Sequence, residues 1–132
     1  MRIAKAARAG APSEERGPTF SGRVWADPVL PAEDGIMVVN VFFEPGARTH
    51  WHTHGVAQVL HVVAGEGRLQ SRDGRSWKLE AGDVVHIPAG DEHWHGAAAD
   101  SYVLHLAVSV GGTEWLDEVT ADEYASAGSP SA

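Results

Sequence analysis

Apolar residues along this chain alternate with polar or small ones over short stretches, and glycine, proline and acidic turn residues interrupt them at roughly 8 to 12 residue intervals. Residues 20–25 form the first such stretch, after which Asp27-Pro28 and Pro31-Ala-Glu-Asp-Gly35 read as a turn-rich connection. The segment 36–43, with Val38, Val39, Val41, Phe42 and Phe43, is strongly strand-like, and Glu44-Pro45-Gly46 closes it. Further strands are expected over 49–54, 56–63, 68–71, 76–79, 83–87 and 102–110, with Asp73-Gly74 as a hairpin turn. Many short strands with almost no helix between them predict an all-β antiparallel sandwich or barrel. Near the end, Thr120-Ala-Asp-Glu123 has capping-box spacing and predicts one short helical turn over 121–125.

The ends carry a different texture. Residues 1–18 are rich in Ala, Gly and Pro without a helical stripe and read as an extended arm, with another subunit as a candidate seat for it. A single domain is expected over 19–125, and the Ser/Gly/Pro/Ala stretch 126–132 is expected to fray. Its 132 residues suit one domain, and with no cysteine a hydrophobic core rather than disulfides must hold it. Ten basic against eighteen acidic side chains give a net charge of −8, which disfavours nucleic-acid and anionic-membrane partners. No apolar run approaches the ~20 residues that span a bilayer, and the N-terminal stretch lacks the apolar core of a secretory signal. A cytoplasmic protein is the expectation.

Histidine changes the picture. All eight fall between His50 and His105, in two tight groups and three singles. His50, His52 and His54 sit at i, i+2, i+4, which on a strand points three imidazoles to one face; His93 and His95 repeat the spacing after a Pro-x-Gly turn. Gln58 could return to the same cavity after a bend at Gly55. Neutral imidazole is the commonest protein ligand for divalent transition metals, so two such groups on facing strands predict a chelating cage. Taken alone, a His-x-His-x-His run is equally the mark of a solvated polar face. Order and spacing decide: Gly46, His52, His54, Gln58 and Gly65 make one pattern, and Gly82, Pro88, Gly90 and His93 a second.

Together these patterns resemble the two motifs of the cupin superfamily, small antiparallel β-barrels of jelly-roll type that hold a metal between strands. Three runs sharpen the resemblance: Glu-Pro-Gly-Ala-Arg-Thr-His-Trp-His-Thr-His (44–54), Gly-Asp-Val-Val-His-Ile-Pro-Ala-Gly-Asp-Glu-His-Trp-His-Gly-Ala (82–97) and Glu-Trp-Leu-Asp-Glu-Val-Thr-Ala-Asp-Glu-Tyr (114–124). They are similar to small bacterial cupins that include manganese-dependent hydroxynitrile lyases. That resemblance implies His52, His54, Gln58 and His93 as metal ligands, and His95 and His105 as cavity residues with acid-base roles. Gln58 stands where the superfamily usually has Glu, and Ala97 where it usually has Asn. An amide in place of a carboxylate leaves the site's full +2 charge and a stronger Lewis acid.

Residue parity agrees for His95, whereas His105, in a strand with two apolar faces, reads from sequence alone as a satisfied core histidine; the resemblance moves it into the cavity. His50 is expected at the rim or surface, His61 pointing away, and His86 in packing. Trp51 and Trp94 alternate with the ligands and are expected to face outward, as second-layer packing or an interface, with a partner-chain surface preferred to a substrate stack. Val39 or Val41, Leu60, Val62, Val103 and Ala107 are the expected cavity walls. The function implied is a metal-dependent carbon–carbon lyase acting on cyanohydrins. Manganese is the first expectation for the ion, with iron, nickel and zinc as alternatives, and the substrate is a small molecule bearing a hydroxyl or carbonyl group. An Fe(II) oxygenase or a non-catalytic metal-binding cupin are the other readings. Apolar strands on both faces point to a homodimer or higher homo-oligomer.

Overall fold

Alternation in the two most strand-like segments translates directly into a pair of neighbouring strands whose odd residues face inward. The computed structural model describes residues 1–5 and 12–129; positions 6–11 of the expected arm and 130–132 of the expected loose end lie outside the described residues. In chain order the elements are β1 (Glu14–Glu15), β2 (Phe20–Ser21), β3 (Val24–Glu33), β4 (Ile36–Phe43), β5 (Arg48–Thr49), β6 (His52–His54) and β7 (Ala57–Ser71). They continue with β8 (Ser76–Glu80), β9 (Val84–Pro88), β10 (His93–Ala97), β11 (Val103–Val110), β12 (Thr113–Trp115) and α1 (Ala121–Ser126). All pairings are antiparallel, in one curled sheet of order β1-β3-β4-β11-β7-β10-β5-β2, with β8 and β9 on β7 and β12 on β6.

The long strand β7 makes the curl. Its first part pairs with β11 and β9, its second with β10 and β8, so one chain segment belongs to both walls. Sequence expected two strands here, 56–63 and 68–71, because the inward parity changes: Gln58, Leu60 and Val62 are buried from even positions, Gly67 and Leu69 from odd ones. A register shift opposite Leu104 and His105 absorbs the change. Gly65 sits at the bend with φ +82°, where a Cβ would overlap the Tyr102 carbonyl.

Other boundaries also moved. The expected strand 20–25 is two, and β3 runs on to Glu33 through the expected turn region. Its prolines lie in or beside its irregular stretches, where the register shifts between Pro28 and Leu30 and between Leu30 and Glu33. The expected strand 49–54 breaks at His50 and Trp51, and β12 was not foreseen because it is only three residues long. The hairpin at Asp73-Gly74 and the helix formed as expected. Thr120 and Glu123 close a capping box on α1.

Two buried clusters result. Val24, Ala26, Val39, Val41, Phe43, Leu60, Val62, Leu69, Ile87 and Val103 fill the space between the walls. Trp51, Trp94, Val119 and Ala127 form a second cluster outside the β10 wall, with Leu116 and Tyr124 against it. The tryptophans do point away from the interior, but the chain's own C-terminal segment covers them, leaving Trp51 2% and Trp94 0% exposed. Of the two expected roles, packing within the chain is therefore the one these tryptophans take, in place of a partner surface. Ala127, expected in the fraying end, is 1% exposed for the same reason. The arm's Glu14 and Glu15 pair with β3 of the same chain.

Candidate metal centre

Strand β6 presents His52 and His54 inward, β10 presents His93 and His95, β7 presents Gln58 and β11 presents His105; all six are 4% exposed or less. Facing strands bring the groups together through the pair His93↔His52, and the His52 and His93 rings lie 4.2 Å apart between centroids. One ring nitrogen from each of His52, His93 and His95 lies within 4.8 Å of the others. The His54 ring is 5.0 Å from that of His52 and 5.5 Å from that of His93. His105 stands behind, its Nε2 3.0 Å from Nδ1 of His95.

Hydrogen bonds around the rings fix which nitrogen faces in. Nδ1 of His52 bonds to the carbonyl of His50 at 2.9 Å, and Nδ1 of His93 to that of Asp91 at 2.9 Å. A carbonyl only accepts, so each Nδ1 carries the proton and each Nε2 keeps its lone pair. Nδ1 of His54 lies 3.2 Å from the Thr113 hydroxyl, and Nε2 of both His54 and His95 is buried without a partner. Gln58 donates from Nε2 to Ser109 Oγ at 3.2 Å, which turns its Oε1 to within 3.0 Å of His93 Nε2. In that orientation the amide oxygen and the His93 nitrogen turn lone pairs to the same space, which suits a shared cation.

Electrostatics point the same way. Burial pushes every imidazole of the group below its ordinary value: His52 and His95 well below, His54 down, His93 and His105 to about 4. Neighbouring imidazoles add to this for His52, His93 and His95. Neutral imidazoles with aimed lone pairs, pinned from behind by carbonyls and a hydroxyl, are the arrangement a divalent transition metal takes.

A cavity of about 360 Å³ opens on His52, His54, Gln58, His95 and His105. Val39, Val41 and Ala107 line it as expected, whereas Leu60, Val62 and Val103 belong to the core beyond. Phe20, Met37, Phe43 and Trp115 complete the apolar wall, with the Trp115 ring 4.7 Å from that of His52. These wall residues, with Ser109 and Thr113, were missed because their places depend on pairings across the chain. A larger groove of about 490 Å³ between β8 and β9 meets the cluster only at His93. His61 is exposed, as parity predicted; His86 is exposed as well, correcting its expected packing, because it lies on the outer face of β9. His50 is half-buried and contributes its carbonyl rather than its ring to the cluster.

Residues 39–110 match the family model described as a cupin domain. The chain is 40% identical over 125 residues to an (R)-mandelonitrile lyase of Granulicella tundricola, covering 89% of this chain and 95% of that protein. It is 34% identical over 77 residues to an acireductone dioxygenase of Gluconacetobacter diazotrophicus, covering 56% of this chain and 43% of that one. Among solved structures it resembles a cupin-like protein of Thermotoga maritima with a TM-score of 0.79 and 43% identity, covering 82% of this chain and 86% of that one.

Proposed function

Since this chain belongs to the cupin family, we propose that it is a metal-dependent carbon–carbon lyase that cleaves and forms cyanohydrins, with His52, His54, Gln58 and His93 holding the ion. The carrying observation is a buried group of neutral imidazoles, with ring nitrogens of His52, His93 and His95 within 4.8 Å of one another, and one amide oxygen beside His93, bordering a largely apolar cavity. A bound divalent cation, manganese in this reading, would lower the energy of an alkoxide.

The chain's own groups do the rest. His95 is the proton carrier: its Nε2 has no partner, and its Nδ1 is held by His105 Nε2. When Nδ1–H donates to His105, Nε2 of His95 is free to accept the substrate hydroxyl proton as the carbon–carbon bond breaks. The bonding pair leaves on cyanide, the carbonyl forms, and the proton is returned to give hydrogen cyanide. His105 is a positioning residue that sets the tautomer of His95. The apolar walls would pack against the substrate's carbon skeleton. Likeness to the mandelonitrile lyase over nearly the whole of both chains supports this choice of reaction.

The experiment is to offer mandelonitrile to the manganese-loaded protein and follow benzaldehyde; release no faster than with metal-stripped protein removes the lyase reading. The shorter match to an acireductone dioxygenase motivates a second reading, an Fe(II) oxygenase. Oxygen uptake by the iron-loaded protein separates the two.

A further inference from the structure

The chain has 18 Asp and Glu, yet none of them lines the cavity that holds the histidine group. Among the described residues, the lining instead includes one permanently charged residue, Arg16. Arg16 follows β1 on the N-terminal arm, and its backbone N–H donates to the Val24 carbonyl at 2.8 Å, so the arm is tied to β3 at this position. The side chain is half-buried. Each other described arginine has a partner: Arg2, Arg23, Arg72 and Arg75 pair with carboxylates, while Arg48 and Arg68 donate to carbonyls and lie over the Tyr124 ring. Arg16 has no side-chain partner among the described residues, and its neighbour Glu15 is 3.7 Å from Arg23.

A cavity lined by neutral imidazoles and by an arginine without a side-chain partner, with no carboxylate among its described lining residues, favours an anionic ligand even in a protein whose net charge is −8. A neutral cyanohydrin makes no use of that cation. We propose that Arg16 is a specificity-determining residue, and that the preferred substrate is a small carboxylate-bearing hydroxy or oxo compound. Its hydroxyl or carbonyl faces the histidines and its carboxylate meets the planar, two-pronged guanidinium. Met37, Val39 and Val41, which line the same cavity, would pack against the carbon skeleton. This substrate class rests on the metal-dependent reading of the same cavity.

The test is calorimetric binding of 4-(hydroxymethyl)benzoate and its neutral isostere 4-(hydroxymethyl)benzamide. It uses manganese-loaded and metal-stripped protein, as wild type, Arg16→Gln and Arg16→Lys. The benzoate is expected to bind about tenfold more tightly than the benzamide to the wild type. That preference shrinks with added salt, disappears in Arg16→Gln and is partly kept in Arg16→Lys, while benzamide affinity stays the same in all three. Equal binding of the two ligands by the wild type, or a preference that survives in Arg16→Gln, overturns the inference. An Arg16-dependent preference in a protein that neither retains manganese nor cleaves mandelonitrile sustains the recognition role and sinks the lyase reading. Metal retention and cleavage without the preference do the reverse.

Discussion

His93 and His95 are two residues apart on one strand and share a face, yet their second nitrogens meet different partners, and this separates their roles. His93 is backed by a main-chain carbonyl, His95 by another imidazole. Replacing His93 by Ala is expected to remove most of the metal, measured by elemental analysis after dialysis. His95→Ala is expected to keep the metal and lose roughly 10² to 10⁴ in turnover of mandelonitrile. Loss of metal from His95→Ala would instead make His95 a ligand, in the compact triple with His52 and His93. That His52 shares an inward face with His54, and His93 with His95, was legible in sequence because the i, i+2 spacing fixes a face. Their backing groups, Ser109, Thr113 and the carbonyls of His50 and Asp91, were not, since any of many residues could have served and only strand pairing selects these.

At the scale of elements, the bend in β7 does most to place the site, because it turns one strand from the β11 wall to the β10 wall. Two glycines test it. Gly65 (φ +82°) has the Tyr102 carbonyl where a Cβ would go, and Gly46 (φ +81°) has nothing within 4 Å. Both alanine variants carry the cost of a positive φ, about 1 kcal/mol; Gly65→Ala adds a backbone clash and is expected to cost about 3 kcal/mol in all. Urea midpoints at unchanged slope would show it, and equal losses for the two variants would refute the role given to the bend. On the outer side of β10, Trp94 donates to Gln70 at 2.9 Å and Tyr124 to the Ala97 carbonyl at 2.6 Å. The C-terminal helix thereby backs the strand that carries His93 and His95. Sequence marked this helix through its capping box but gave no sign of what it would cover.

For the whole molecule, burying so many uncharged imidazoles ties global stability to pH. His93 and His105 titrate near 4 in the folded chain, against an ordinary value of 6.5 once unfolded. Between those values the unfolded state binds more protons, so stability falls as pH falls. The metal-stripped protein is expected to be fully stable above about pH 6.5 and to weaken continuously toward pH 4. The loss is of the order of 3 kcal/mol for each of these two imidazoles. Chemical denaturation across that range checks it, and a flat profile would contradict neutral burial. Manganese should oppose the loss, since ligand nitrogens that hold a metal cannot be protonated.

What the amino-acid sequence determined by itself was whatever follows from periodicity and local chemistry. Alternation made the strands, Asp73-Gly74 the hairpin and Thr120 with Glu123 the helix start; the histidine spacing put His52 with His54, and His93 with His95, on inward faces. These properties need no knowledge of partners, because side-chain direction in a strand is set two residues at a time. Tertiary structure decided everything that depends on which strands meet: the uninterrupted β7, the walls contributed by Phe20, Met37 and Trp115, and the covering of both tryptophans by the chain's own end. It also brought Arg16, from an arm that looked featureless, to a cavity whose histidines begin more than thirty residues further along the chain. Contacts between segments distant in sequence are set by packing of the whole core, and no local pattern encodes them.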